Sequence, residues 1–131
     1  MGCMAIYEAS VEKRFTARHA VCLPDGSFEP AHEHLWCVTA TFRCEKLNPP
    51  MGVVVDFLEV ESALSAIIAD LEGGDLNRAA ELADAGASAE RVAEFIAKKL
   101  MARLPGGGRR LYSLAVTEAA GCRAAYYPQQ T

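Results

Sequence analysis

Apolar positions recur along this chain with two periods, and the change from one to the other marks strands from helices. Residues 4 to 19 set Val11, Phe15 and Ala17 on one face with His19, the period of a strand ending at His19. Cys22 to Ala31 contains two prolines and the turn signal Asp25-Gly26, so a loop is predicted there. From His32 to Arg43, Trp36, Val38, Thr39, Thr41 and Phe42 favour a pleated backbone and predict a second strand. Period two then places His32, His34, Trp36, Val38, Ala40 and Phe42 on one face. Asn48-Pro49-Pro50-Met51-Gly52 predicts a turn, and Val53 to Phe57 a short third strand in a hairpin with the second.

Helical spacing takes over with Val60, Leu64, Ile67, Ile68 and Leu71, predicting a helix over 58–71 that stops at Gly73-Gly74. Ser88, Glu90 and Arg91 open a second periodic segment with Val92, Phe95, Ile96 and Leu100, a helix over 89–103 closed by Pro105-Gly106-Gly107-Gly108. Leu111 to Glu118 returns to period two as the last full strand, with 124–127 as an extension after Gly121. The order strand, strand, strand, helix, helix, strand predicts an α+β fold with the helices on one face of an antiparallel sheet. The other face lacks cover within one chain, which predicts self-association.

Length and composition narrow this picture. A chain of 131 residues predicts one domain spanning 1–131, and 51% hydrophobic with 23% charged residues excludes a mostly disordered one. A net charge of -4, with Arg109-Arg110 as the nearest thing to a basic patch, argues against a nucleic-acid partner. Five cysteines (Cys3, Cys22, Cys37, Cys44 and Cys122) form an odd, irregular set and read as reduced thiols of a cytoplasmic protein. No apolar stretch approaches 18 residues, and the N-terminus lacks a signal-peptide pattern, so no membrane association is expected. Met1-Gly2-Cys3 hints at acylation, but Ile6 stands where a myristoylation motif needs Ser or Thr.

The candidate chemistry lies in the histidines. His32-x-His34 on a strand sets two imidazoles on one side, about 7 Å apart at the backbone, and side chains can close that gap onto one cation. His19, at the end of the preceding strand, is the only other histidine. Three neutral nitrogens would leave an open fourth position at the floor of a small-molecule pocket, the arrangement of catalytic zinc. Spacing alone leaves open the plainer reading, in which each is a surface or hydrogen-bonded histidine.

Five motifs carry a family resemblance. Phe15-Thr16-Ala17-Arg18-His19 resembles Phe-x-Ala-x-His, and His32-Glu33-His34 resembles His-Gly-His. Gly52 to Phe57 is similar to a strand ending in Asp-Phe, Leu76-Asn77 to a Leu-Asn pair after the first helix, and Val116-Thr117-Glu118 to a final Val-x-Glu. Together, from about residue 11 to 127, they resemble 6-pyruvoyl-tetrahydropterin synthase and its bacterial relative 6-carboxy-tetrahydropterin synthase. The resemblance implies a tunnelling fold (T-fold), in which three subunits join four-stranded sheets into a barrel and two trimers stack as a hexamer. It implies Zn2+ on His19, His32 and His34, and a pterin substrate bound at Thr117 and Glu118. The Glu118 carboxylate would accept two parallel N–H bonds from the ring edge.

The chain departs from the family where the proton-transfer groups belong. The expected cysteine, four to six residues before His-x-His, is replaced by Gly26, Ser27 or Phe28, and the Asp-His pair by Glu72 and Gly73. Three catalytic candidates remain, each with a plainer alternative. Glu29 resembles the glutamate of family variants similar to dihydroneopterin aldolases; it equally suits a solvated loop. Cys22 suits a packing cysteine, and Asp75 a loop that ends a helix. The resemblance implies a zinc-dependent lyase acting on 7,8-dihydroneopterin triphosphate or a close pterin. Side-chain cleavage using Glu29, and a non-catalytic pterin- or purine-binding protein that keeps zinc and Glu118, are the alternatives.

Overall fold

A computed structural model describes residues 5–104, 106 and 108–128. The start of the first predicted strand, Cys3 and the Met1-Gly2-Cys3 signal lie outside the described residues. Two 13-residue strands, β1 (Tyr7–His19) and β2 (His32–Cys44), pair antiparallel without a slip from Tyr7 opposite Cys44 to His19 opposite His32. β3 (Leu111–Ala119) and β4 (Cys122–Tyr126) follow antiparallel, giving a four-stranded sheet in the order β1-β2-β3-β4. The extension expected after Gly121 is thus a strand in its own right.

Two 15-residue helices, α1 (Phe57–Leu71) and α3 (Ala89–Arg103), pack on one face, α1 against β1 and α3 against β3 and β4. Asp56 caps α1 by accepting the Leu58 N–H (2.9 Å), and Ser88 caps α3 by accepting that of Arg91 (3.2 Å). The stripes Val60, Leu64, Ile67, Ile68 and Val92, Ile96, Leu100 are buried with Phe15, Trp36, Val38, Phe42 and Leu114 of the sheet. A four-residue helix, α2 (Ala80–Ala83), and a short tight turn, Leu76–Arg78, lie between the long helices. No helix among the described residues is long and apolar enough to cross a membrane.

The predicted strand at Val53–Phe57 does not form. Val53 makes one isolated bridge to Asn48, Val54 and Val55 are buried as a plug, and Asp56 is committed to capping α1. The Val54 carbonyl takes its hydrogen bond from the Arg110 guanidinium (2.9 Å) instead of from a neighbouring strand. The β-branched run serves burial here, which periodicity over three residues does not separate from pairing. The far face of the sheet, with Ser10, Glu12, Arg14, Thr39, Thr41 and exposed Leu35, carries neither long helix.

Candidate metal centre

The register of β1 on β2 places His19 directly across from His32, with His34 two pairs further along, on the same face, opposite Ala17. Glu118 joins them by alternation along β3, since Leu114 and Val116 pair with Ala40 and Val38 on the histidine face of β2. Pairing of β3 with β4 jumps from Thr117–Arg123 to Ala119–Cys122, so Glu118 is also the extra residue of a bulge. Ligand atoms of His19, His32, His34 and Glu118 all lie within 4.8 Å of one another. His19 is fully buried, while the His34 and Glu118 side chains are 23% and 27% exposed, so the group opens to solvent on one side.

Second partners fix which nitrogen each ring offers. His19 Nδ1 lies 2.7 Å from the Ala87 carbonyl and His32 Nδ1 3.0 Å from the Pro30 carbonyl. A carbonyl can only accept, so each Nδ1 carries a hydrogen and, with the rings neutral, each Nε2 bears a lone pair. Yet the two Nε2 atoms face each other at 3.0 Å with no proton between them. His34 Nε2 is buried without a hydrogen bond; Glu118 Oε1 is 3.1 Å away but not in hydrogen-bonding geometry. A cation among the three nitrogens would turn this repulsion into coordination. A tetrahedral ion with bonds of ~2.0–2.1 Å needs ligand nitrogens ~3.3 Å apart, close to the 3.0 Å between the His19 and His32 Nε2 atoms. The donor set therefore fits a metal ion.

The cluster sits on an aromatic floor. The Trp36 ring meets His19 edge-on at 4.9 Å and His34 at 6.0 Å, Phe15 stacks on Trp36 at 6.1 Å, and the indole N–H donates to the Ala17 carbonyl at 3.1 Å. The family model for 6-pyruvoyl tetrahydropterin synthase matches residues 8–129, a span holding every one of these residues. The chain belongs to that family. It matches no curated protein sequence.

Solved structures agree on the fold. The 6-pyruvoyl tetrahydropterin synthase of Caenorhabditis elegans is 20% identical with a TM-score of 0.83, over 98% of this chain and 100% of that one. A Plasmodium vivax 6-pyruvoyltetrahydropterin synthase, in a form with alanine for a glutamate described as a catalytic residue, is 16% identical with a TM-score of 0.74, over 95% and 99%. The Plasmodium falciparum protein is 16% identical with a TM-score of 0.70, over 92% and 96%. The chain has the T-fold of this synthase family, as its motifs implied.

The remaining candidates are dispersed around the cluster. Glu29 borders it: Oε1 accepts the Val21 N–H (3.0 Å) and lies 3.9 Å from His32 Nδ1. Cys22 stands outside, bridged to Phe28 with its sulfur 3.7 Å from the Leu23 carbonyl and its backbone against Gly86. The Asp75 carboxylate accepts the Asn77 N–H (2.9 Å) and starts the turn Leu76–Arg78. Thr117 pairs with Cys37 across β2 and is partly buried. Where the family pattern has histidine, Gly73 adopts φ +74, the left-handed region, and gives its N–H to the Thr16 carbonyl (2.7 Å). Two contributors escaped sequence reasoning. Ala87 acts through a carbonyl and so leaves no side-chain signal; Asn77 was visible only as half of a Leu-Asn pair.

Proposed function

We propose that this member of the synthase family is a zinc-dependent enzyme acting on 7,8-dihydroneopterin triphosphate or a related pterin. The observation that carries this reading is the convergence of three imidazole nitrogens, two of them held as lone-pair donors by carbonyls behind them. His19, His32 and His34 would hold the ion. Zinc bound there supplies Lewis acidity, which makes protons beside a coordinated substrate oxygen easier to remove.

The chain's own groups would do the rest. Glu118, at the open side, would accept paired N–H bonds from the pterin ring edge, and the neighbouring Thr117 would line the same strand end. Glu29 would take the proton. Its carboxylate borders the cluster, and a glutamate is described as a catalytic residue of the Plasmodium vivax enzyme. Asp75 and Cys22 are weaker candidates, since one caps a turn and the other packs against Gly86. Proton removal there would lead to elimination of triphosphate or, as the alternative, to carbon–carbon cleavage of the side chain, and the mass of the product separates the two. The uncovered sheet face suits a homo-oligomer, trimer or hexamer.

One observation favours a second reading. The histidines and Glu118 stay together while Gly26, Ser27, Phe28 and Gly73 stand where the family has its cysteine and histidine, as suits a protein that keeps zinc and binds pterins or purines through Glu118 without turnover. Zinc-loaded protein, with Glu29→Gln, His32→Ala and Glu118→Gln, is incubated with 7,8-dihydroneopterin triphosphate and the products are weighed by mass spectrometry. Turnover that both Glu29→Gln and His32→Ala abolish supports the enzyme. Saturable binding without a product, lost in Glu118→Gln, supports the binding protein. Neither product nor binding would sink both readings.

A further inference from the structure

After α1 the chain turns back along the outer edge of β1 and bonds to alternate residues at its end, Thr16 and Arg18, and to Ala20 just past it. The Thr16 N–H donates to the Glu72 carboxylate (3.1 Å) and the Thr16 carbonyl accepts from Gly73 (2.7 Å). The Arg18 N–H donates to the Gly74 carbonyl (2.9 Å), within a parallel bridge between Arg18 and Asp75. At Ala20 the backbone partner is replaced by a side chain. Asn77 Oδ1 accepts the Ala20 N–H (2.8 Å) and Asn77 Nδ2 donates to the Ala20 carbonyl (3.0 Å). A primary amide offers an acceptor and a donor in one plane, so it can stand in for the edge of a neighbouring strand.

This clamp sits one residue from His19. The Ala20 carbonyl also accepts the Ala87 N–H (3.2 Å), and the Ala87 carbonyl receives His19 Nδ1 (2.7 Å). Asn77, Ala20, Ala87 and His19 therefore form a ring of contacts in which the placement of Ala20 sets both the backbone of His19 and the acceptor behind its imidazole. Asp75 anchors the ring from outside by holding the Asn77 N–H (2.9 Å).

We propose that Asn77 is a positioning residue for the metal centre, clamping Ala20 so that His19 presents Nε2 to the ion. This rests on the zinc reading above. Ala20 is buried, at 8% exposure, so water is poorly placed to replace the amide. Outer contacts of this kind, which orient a ligand without touching the metal, are worth ~10–100-fold in metal affinity.

The test measures zinc affinity by competition with a chromogenic chelator, and the cobalt(II) absorption spectrum, on folded protein. Parent, His32→Ala, Asn77→Ala, Asn77→Asp and Phe42→Leu are compared; Phe42 is a core residue at the far end of β2. Asn77→Ala is expected to weaken zinc ~10–100-fold and to alter the cobalt bands. Phe42→Leu should lower the melting temperature and leave both readouts unchanged, because a merely structural loss does not move them. Asn77→Asp keeps the acceptor but sets an oxygen against the Ala20 carbonyl, so it should also weaken binding, and it carries the test if the alanine variant does not fold. Parental affinity and spectrum in the folded Asn77 variants, with binding lost in His32→Ala, would overturn the inference and leave the zinc reading standing. Failure of the parent to bind zinc better than His32→Ala would overturn the zinc reading, and the inference with it.

Discussion

Replacing Trp36 by phenylalanine tests whether the floor beneath the histidines holds the sheet as the structure implies. Trp36 is fully buried, and its N–H donates to the Ala17 carbonyl at 3.1 Å. The backbone groups of Thr16, Arg18 and Ala20 point outward to the 72–77 segment, so those of Ala17 point toward β2 and keep their ladder partner in the variant. The loss is then one hydrogen bond, worth about 1 kcal/mol, and not an orphaned carbonyl. Removing part of the indole should add about 1.5 kcal/mol, well below the ~3–5 kcal/mol of truncation to alanine. The sum is about 2.5 kcal/mol. An unfolding entropy of ~2.1 cal/mol/K per residue over 131 residues gives ~0.28 kcal/mol/K, so the metal-free protein should melt about 9 °C lower. Far-UV circular dichroism is the assay, because the substitution removes the only tryptophan and with it the fluorescence signal. A shift under 3 °C would refute both the bond and the packing; one above 18 °C would mean that Ala17 has no second partner.

Two further outcomes are expected. Gly86→Ala should cost about 1–3 kcal/mol in urea unfolding, since Gly86 has φ +94 and an added Cβ would lie 3.0 Å from the Cys22 nitrogen; a loss under 0.5 kcal/mol would contradict the strain. Ser27→Ala should move the Asp25 titration, followed by NMR, up toward its ordinary 3.8, because the Ser27 hydroxyl (2.5 Å) and N–H (2.9 Å) hold that carboxyl low. A depressed carboxyl stabilises the fold above its unfolded pKa and loses that contribution as pH falls through the folded one, so the two proteins should differ only on the less acidic side of that window. An unchanged midpoint would show that Ser27 is not the cause.

The long elements were legible because their periods are long. The segment 89–103 is a helix with the boundaries its Ser88 cap and apolar stripe predict, and α1 begins one residue before its predicted start. Val53 to Val55 misled because a buried plug and a buried strand share a composition, and the Asp56 cap that decides between them is local chemistry. Leu76–Arg78 and Ala80–Ala83 are too short to show a period. In the site, strand alternation brought the histidines together on paper. It also sets Glu118 on the face of Leu114 and Val116, which pair with β2 residues beside the histidines, but it is silent on Ala87, whose contribution is a main-chain oxygen.

That contrast bears on how such a site diverges. A one-residue slip of β1 against β2 would turn His19 to the opposite face from His32 and His34 and expose Phe15, so the core packing that fixes the register also holds the three together. No comparable constraint acts on Val21 to Ala31, most of which is exposed. A proton-accepting group supplied by that loop can move by a residue, or change from thiol to carboxylate, without cost to the core. The placement of Glu29 is consistent with such a shift: it borders His32 and ties its carboxylate to Val21, just past the end of β1. The histidine cluster is therefore the part of the candidate site that core packing preserves, and the proposed base is the part in which relatives of this chain should differ most.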